Sequence, residues 1–113
     1  MPLGHIDLRV ADLAAAEAFY DRLLPQLGYT ERFHSDTWKV WAAAKDQYFA
    51  ITHGDDHTPN ENRIAFVVGS REEVDAVAEL VSVAAKEMPY SLGYYAVFFE
   101  DPSGNRLEVY IRP

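Results

Sequence analysis

Apolar and polar residues alternate over positions 5–10, with Ile6, Leu8 and Val10 on one side and His5, Asp7 and Arg9 on the other. A period of two predicts a half-buried strand. Asp12 follows as a candidate N-cap, and Leu13, Ala16, Phe19, Tyr20, Leu23 and Leu24 recur behind it at helical spacing. Pro25 should end that helix, because it lacks an amide hydrogen and restricts the residue before it; Gly28 can then turn the chain. Short apolar runs at 38–44 and 48–52, split by a tight turn at Lys45 and Asp46, predict a strand pair. The stretch 53–62 is polar, carries Pro59 and has no periodicity, so it is the expected linker.

The pattern then begins again. Ile64, Phe66 and Val68 form the inward side of a second strand. Ser70 and Glu73 have capping-box spacing, with the hydroxyl serving the Glu73 amide and the carboxylate reaching back to the Ser70 amide. Val74, Val77, Val81 and Ala84 continue as a helical stripe. A strand is predicted over 94–100, a turn at Asp101-Pro102-Ser103-Gly104, and a last strand over 105–111.

One constant shift of 58 residues lays the halves on each other: Ile6 on Ile64, Leu8 on Phe66, Ala18 on Ala76, Val40 on Phe98 and Ile51 on Val109. Identity between the halves is low, so the repeat is one of pattern. It predicts an α+β chain of two tandem βαβββ modules forming a curved mixed sheet with a concave pocket. The expectation is a single domain over 1–113, with module one at about 1–55, the linker at about 53–62 and module two at about 63–113. Strand parity turns Ile6, Leu8, Phe49, Ile51, Ile64, Phe66, Leu107 and Val109 toward the helices. It turns His5, Asp7, Arg9, Tyr48, Ala50, Thr52, Arg63, Ala65, Arg106, Glu108 and Tyr110 to the concave side. A sheet face with that much charge is a site candidate rather than a core.

Composition narrows the function classes. Ten basic residues among eighteen acids leave a formal net charge of −8, which argues against a nucleic-acid partner, since such surfaces need clustered Lys and Arg. There is no cysteine, hence no disulfide framework, thiolate metal site or thiol nucleophile. No run approaches the roughly 18 apolar residues that a membrane span requires. The start shows no secretory pattern, so a cytoplasmic protein without a membrane partner is expected.

The opening Gly4-His5-Ile6-Asp7-Leu8-Arg9-Val10-Ala11-Asp12-Leu13, with Ala18-Phe19-Tyr20 and Leu23-Leu24, resembles the start of a glyoxalase/bleomycin-resistance/dioxygenase (vicinal oxygen chelate) domain. The segment from Gly93 through Asp101-Pro102-Ser103-Gly104-Asn105-Arg106-Leu107-Glu108 resembles its close and is the more specific of the two. The resemblance implies paired βαβββ modules, a small-molecule pocket between them and a homodimer. In enzymes of the family it implies a divalent metal (Zn, Mn, Fe or Ni) held from four strands. Carried over position by position, the four ligand sites fall on His5, Ala50, Arg63 and Glu108. His5 and Glu108 keep donor chemistry; Ala50 and Arg63 do not, so the ligand set is incomplete.

Two readings follow. In the first, the chain is an enzyme of glyoxalase-like lyase, isomerase, thiol-transferase or ring-cleaving dioxygenase type, with His5 and Glu108 as metal ligands and Glu108 as catalytic proton carrier. In the second, favoured by Ala50 and Arg63, it binds a small anionic or aromatic ligand without a complete metal site. The candidate ligand-binding residues are then Arg63, Tyr48, Tyr95, Arg106 and Tyr110, with Arg63 either paired to Glu108 or gripping an anion by a bidentate contact. Nothing in the spacing brings His34 into the ligand set, and His53 and His57 read as solvated linker residues.

Overall fold

Each half builds a strand, a helix and three further strands, in the order β1 (His5–Val10), α1 (Leu13–Leu23), β2 (Glu31–His34), β3 (Trp38–Ala42), β4 (Tyr48–His53), then β5 (Arg63–Val67), α2 (Arg71–Val81), β6 (Lys86–Glu87), β7 (Tyr95–Glu100), β8 (Arg106–Ile111). This is the computed structural model of the chain, describing residues 3–44, 46–89 and 91–113; Lys45 of the expected turn lies outside the described residues. The chain forms two compact units that divide between Thr58 and Pro59. No described helix is long and apolar enough to cross a membrane.

The strands pair within units as two four-stranded mixed sheets, ordered β1-β4-β3-β2 and β5-β8-β7-β6. β4 lies parallel to β1 and antiparallel to β3; β8 lies parallel to β5 and antiparallel to β7. The 58-residue shift reaches the element boundaries: first strands begin at 5 and 63, helices at 13 and 71, last strands at 48 and 106. It also reaches the helix caps. Asp12 accepts the Ala15 amide at 3.0 Å, and Ser70 accepts the Glu73 amide at 3.2 Å. The Glu73 carboxylate departs from the expected capping box by one residue, accepting the Gly69 amide at 3.0 Å rather than that of Ser70.

α1 stops at Leu23; Leu24–Leu27 tighten into a 3₁₀ turn that starts beside Pro25 and closes on Gly28 at φ 91°. α2 stops at Val81, where Ser82 takes a left-handed conformation (φ 58°). Ala84, expected in the helical stripe, therefore lies beyond the helix. The second strand of each module, β2 and β6, went unassigned in the sequence pattern. Both are edge strands of four and two residues, and neither has a buried position to create a period.

The helix-facing cores differ in kind. In module one, Tyr20 of α1 packs on Phe49 (ring centroids 4.9 Å) and Trp41 (5.9 Å), all three fully or almost fully buried. In module two the core is mainly aliphatic, with Val74 and Val77 of α2 buried along with Val97, Leu107 and Val109, and Phe99 is its buried aromatic residue.

The turn before β8 is fixed by one carboxylate. Asp101, 4% exposed, accepts the Ser103 amide at 2.8 Å, the Asn105 amide at 3.0 Å and the Asn105 side-chain amide at 2.9 Å. Gly104 follows at φ 84°, and a Cβ there would lie 2.6 Å from Pro59 Cγ. The equivalent turn of module one places Asp46 at φ 62° instead. Gly104→Ala is expected to cost about 1–3 kcal/mol, from backbone strain and the Pro59 clash together. Asp46→Gly should be neutral or stabilise by up to about 1 kcal/mol, because only glycine adopts that conformation without a steric cost. Urea unfolding midpoints of the two variants check both signs.

Candidate functional site

Register sorts the side chains of each sheet. His5 pairs with Tyr48, Asp7 with Ala50 and Arg9 with Thr52; Ala50 in turn pairs with Val40, and Val40 with Phe33. Cα partners share a face, so these residues line the side of the sheet opposite α1. On that face His5, Phe33, Trp38, Val40, Tyr48 and Ala50 enclose a cleft of about 340 Å³. Phe33 is 55% exposed and Trp38 48%, so two large aromatic side chains stand open to solvent at the cleft. His5 Nε2 lies 3.1 Å from Asp7 Oδ2, and the Trp38 indole N–H donates to Asp7 Oδ1 at 3.4 Å.

In module two, Arg63 pairs with Arg106, Ala65 with Glu108, and Glu108 with Phe98. Arg63 and Arg106 line a second, shallower cleft of about 230 Å³ with Phe98, Phe99 and Glu100. The Arg63 guanidinium sits over the Phe98 ring, 4.9 Å from its centroid. Glu108 is 5% exposed and accepts a hydrogen bond from the Tyr94 hydroxyl. Tyr94 also meets Tyr110 edge-on, with ring centroids 5.4 Å apart. The Arg63–Glu108 ion pair entertained from sequence is not formed: the buried carboxylate takes a phenol as its partner, and Arg63 takes an aromatic ring.

The structure thus brings His5 and Tyr48 together at one cleft and Arg63 and Arg106 at the other, while Glu108 and Tyr110 meet around Tyr94. Tyr95 stands apart from all of them. It pairs with Ile111, and its hydroxyl donates to Asp75 on α2 while Arg71 covers its ring at 3.8 Å. That hydrogen bond to Asp75 raises the Tyr95 phenol above its ordinary range. Phe33, Trp38, Val40, Tyr94 and Phe98 were absent from the sequence-derived set. For Tyr94 the signal existed, since it shares parity with Ala96 and Phe98 rather than with Tyr95.

A metal of the kind the family resemblance implies does not fit these residues. Open catalytic sites usually take about three protein ligands. Ala50 offers a methyl group, and Arg63 a permanent cation with no lone pair. Asp7 could add a carboxylate beside His5, but it is bonded to both His5 and Trp38. Among the described residues, the one trio of ligand atoms close enough to share an ion is Glu17, Asp21 and His34. That trio lies on the helix side and is already served by cations. Arg32 reaches Glu17 and Asp21 at 3.3 Å each, and Lys39 reaches Glu17 at 3.6 Å. His34 Nδ1 accepts the Val40 amide at 3.2 Å, and its ring packs against Trp41.

The neighbouring tyrosines give a direct check on the parity. Tyr94→Phe leaves the buried Glu108 carboxylate without its donor and should cost about 1–3 kcal/mol in urea unfolding. Tyr95→Phe, whose partner Asp75 is exposed, should stay within about 0.5 kcal/mol of the parent.

The chain matches the Glyoxalase/Bleomycin resistance protein/Dioxygenase superfamily over residues 3–109. It is 28% identical to an uncharacterised Bacillus subtilis protein, YqjT, over 95% of this chain and 96% of the relative. Among solved structures, a putative glyoxalase from Bacillus halodurans superimposes with a TM-score of 0.79 at 27% identity, covering 97% of this chain and 95% of the other. The fosfomycin resistance protein FosX of Listeria monocytogenes does so with a TM-score of 0.71 at 27% identity, covering 100% and 94%. Matched across almost its whole length, with two βαβββ modules in place, the chain belongs to the glyoxalase/bleomycin resistance protein/dioxygenase superfamily.

Proposed function

We propose that this protein binds a small aromatic or anionic molecule on its uncovered sheet faces, without a complete metal-ligand set. The observation that carries this reading is the module-one cleft. A soluble fold gains by burying Phe and Trp, yet Phe33 and Trp38 stand about half exposed, flanking a concave space with a few polar groups. Indole and phenyl faces in such a setting offer apolar area at little conformational cost. His5 and Tyr48 supply the hydrogen-bonding groups at its edge. Asp7 holds the His5 ring through Nε2, so Nδ1 is the nitrogen left to meet a ligand. That one structural relative is named for resistance to a small molecule, fosfomycin, supports the same broad class.

The metal-dependent alternative would use His5 and Glu108. Each already has a partner, and Ala50 and Arg63 leave the other two positions without a metal donor.

The cleft is tested with neutral aromatic probes: 1-naphthol, indole and phenol, titrated by calorimetry. Saturable binding is expected, weakened roughly tenfold or more by Trp38→Ala or Phe33→Ala, as for truncation of a central aromatic anchor. A panel that does not bind, or binds equally to both variants, would overturn this reading.

A further inference from the structure

We infer that the module-two sheet face carries an oxyanion site built on Arg63 and Arg106, and that its ligand group is a phosphate or phosphate monoester. Arg63 and Arg106 are Cα partners on neighbouring parallel strands, so two full positive charges project from one face side by side. Like charges directly opposite one another in a sheet are destabilising. Among the described residues, no carboxylate lies within 4.0 Å of either guanidinium. Glu100, the Cα partner of Arg106 on β7, lines the same cleft but does not close an ion pair with it. Glu108, the nearest buried carboxylate in register, is committed to Tyr94. Lys86 adds a third cation beside Phe98, its ammonium 5.9 Å from the ring centroid.

Of the ten basic residues of a chain with net charge −8, Arg63 and Lys86 therefore meet at one phenyl ring and Arg106 lines the same cleft, with no ion pair to a carboxylate among the described residues. Arg63 and Lys86 are exposed, so solvent screens much of their repulsion, and the unpaired charges remain open to an anion that arrives from solution. The ligand class follows from donor geometry. One guanidinium fork satisfies both oxygens of a carboxylate, whereas two adjacent forks can serve the three terminal oxygens and double charge of a phosphate group. The Phe98 ring would support the carbon or ester side of such a ligand. The inference rests on the anionic half of the proposed function and names its ligand class, while it does not depend on the aromatic cleft, which belongs to the other sheet.

Inorganic phosphate is the probe, because it has no apolar part and cannot report on the cleft. It is titrated by calorimetry into the full chain at constant ionic strength, in parallel with acetate and chloride. The expected result is saturable phosphate binding in preference to acetate, weakened roughly tenfold or more by Arg63→Gln and by Arg106→Gln. Arg71→Gln, on the exposed surface of α2, should leave it unchanged. Circular dichroism melts confirm that the variants fold. Phosphate binding that matches chloride, or that survives both glutamine variants, would overturn the inference. Preference for acetate over phosphate would overturn the ligand class.

Discussion

A four-stranded sheet that receives a single helix buries one face and leaves the other without a helical cover. Both modules are built under that constraint. With side chains alternating at a period of two, it divides every strand into a helix-facing set and an opposite-facing set. In β4 and β8 the division sits beside the core. Phe49, Ile51, Leu107 and Val109 are sealed under the helices, and the residues between them, Ala50 and Glu108, belong to the opposite face. Both clefts described above are lined mainly by residues of that second parity.

The repeat lets two differently specialised faces grow on one plan. His5 and Arg63 occupy equivalent positions, as do Ala50 and Glu108, and in each pair one residue can donate to a metal while the other cannot. Module one has drifted toward aromatic, solvent-open side chains at Phe33 and Trp38. Module two places Arg63 and Lys86 at the Phe98 ring, with Arg106 beside them in the cleft. The same divergence runs through the cores, where Tyr20, Phe49 and Trp41 of one module fall on Ala78, Leu107 and Phe99 of the other.

The long elements were legible because each carries a strong period and a cap: α1 behind Asp12, α2 behind Ser70, β1 and β5 with their alternation. β2 and β6 were not, because a short edge strand buries nothing and its pairing comes from backbone groups alone. The missed edge strand hid Phe33, one wall of the cleft. Tyr94 and Tyr95 look equivalent in sequence because they are adjacent aromatic residues, whereas the chain sends them to opposite faces. The Arg63–Glu108 pairing failed for a different reason. Charge complementarity was visible, but the phenol that outcompetes the guanidinium lies 14 positions before the carboxylate, in the stretch leading into β7.

The account stands on the claim that two donors, His5 and Glu108, do not make the family's metal site when Ala50 and Arg63 fill the remaining positions. The direct measurement is a series of thermal melts on chelator-stripped protein with Zn²⁺, Mn²⁺, Fe²⁺ or Ni²⁺, with His5→Ala alongside. A native-state site filled at 100 times its dissociation constant would add about 2.7 kcal/mol, a shift on the order of 10 °C in a chain of this size. The account predicts no shift that depends on His5. A metal-specific rise in melting temperature that His5→Ala abolishes would contradict it.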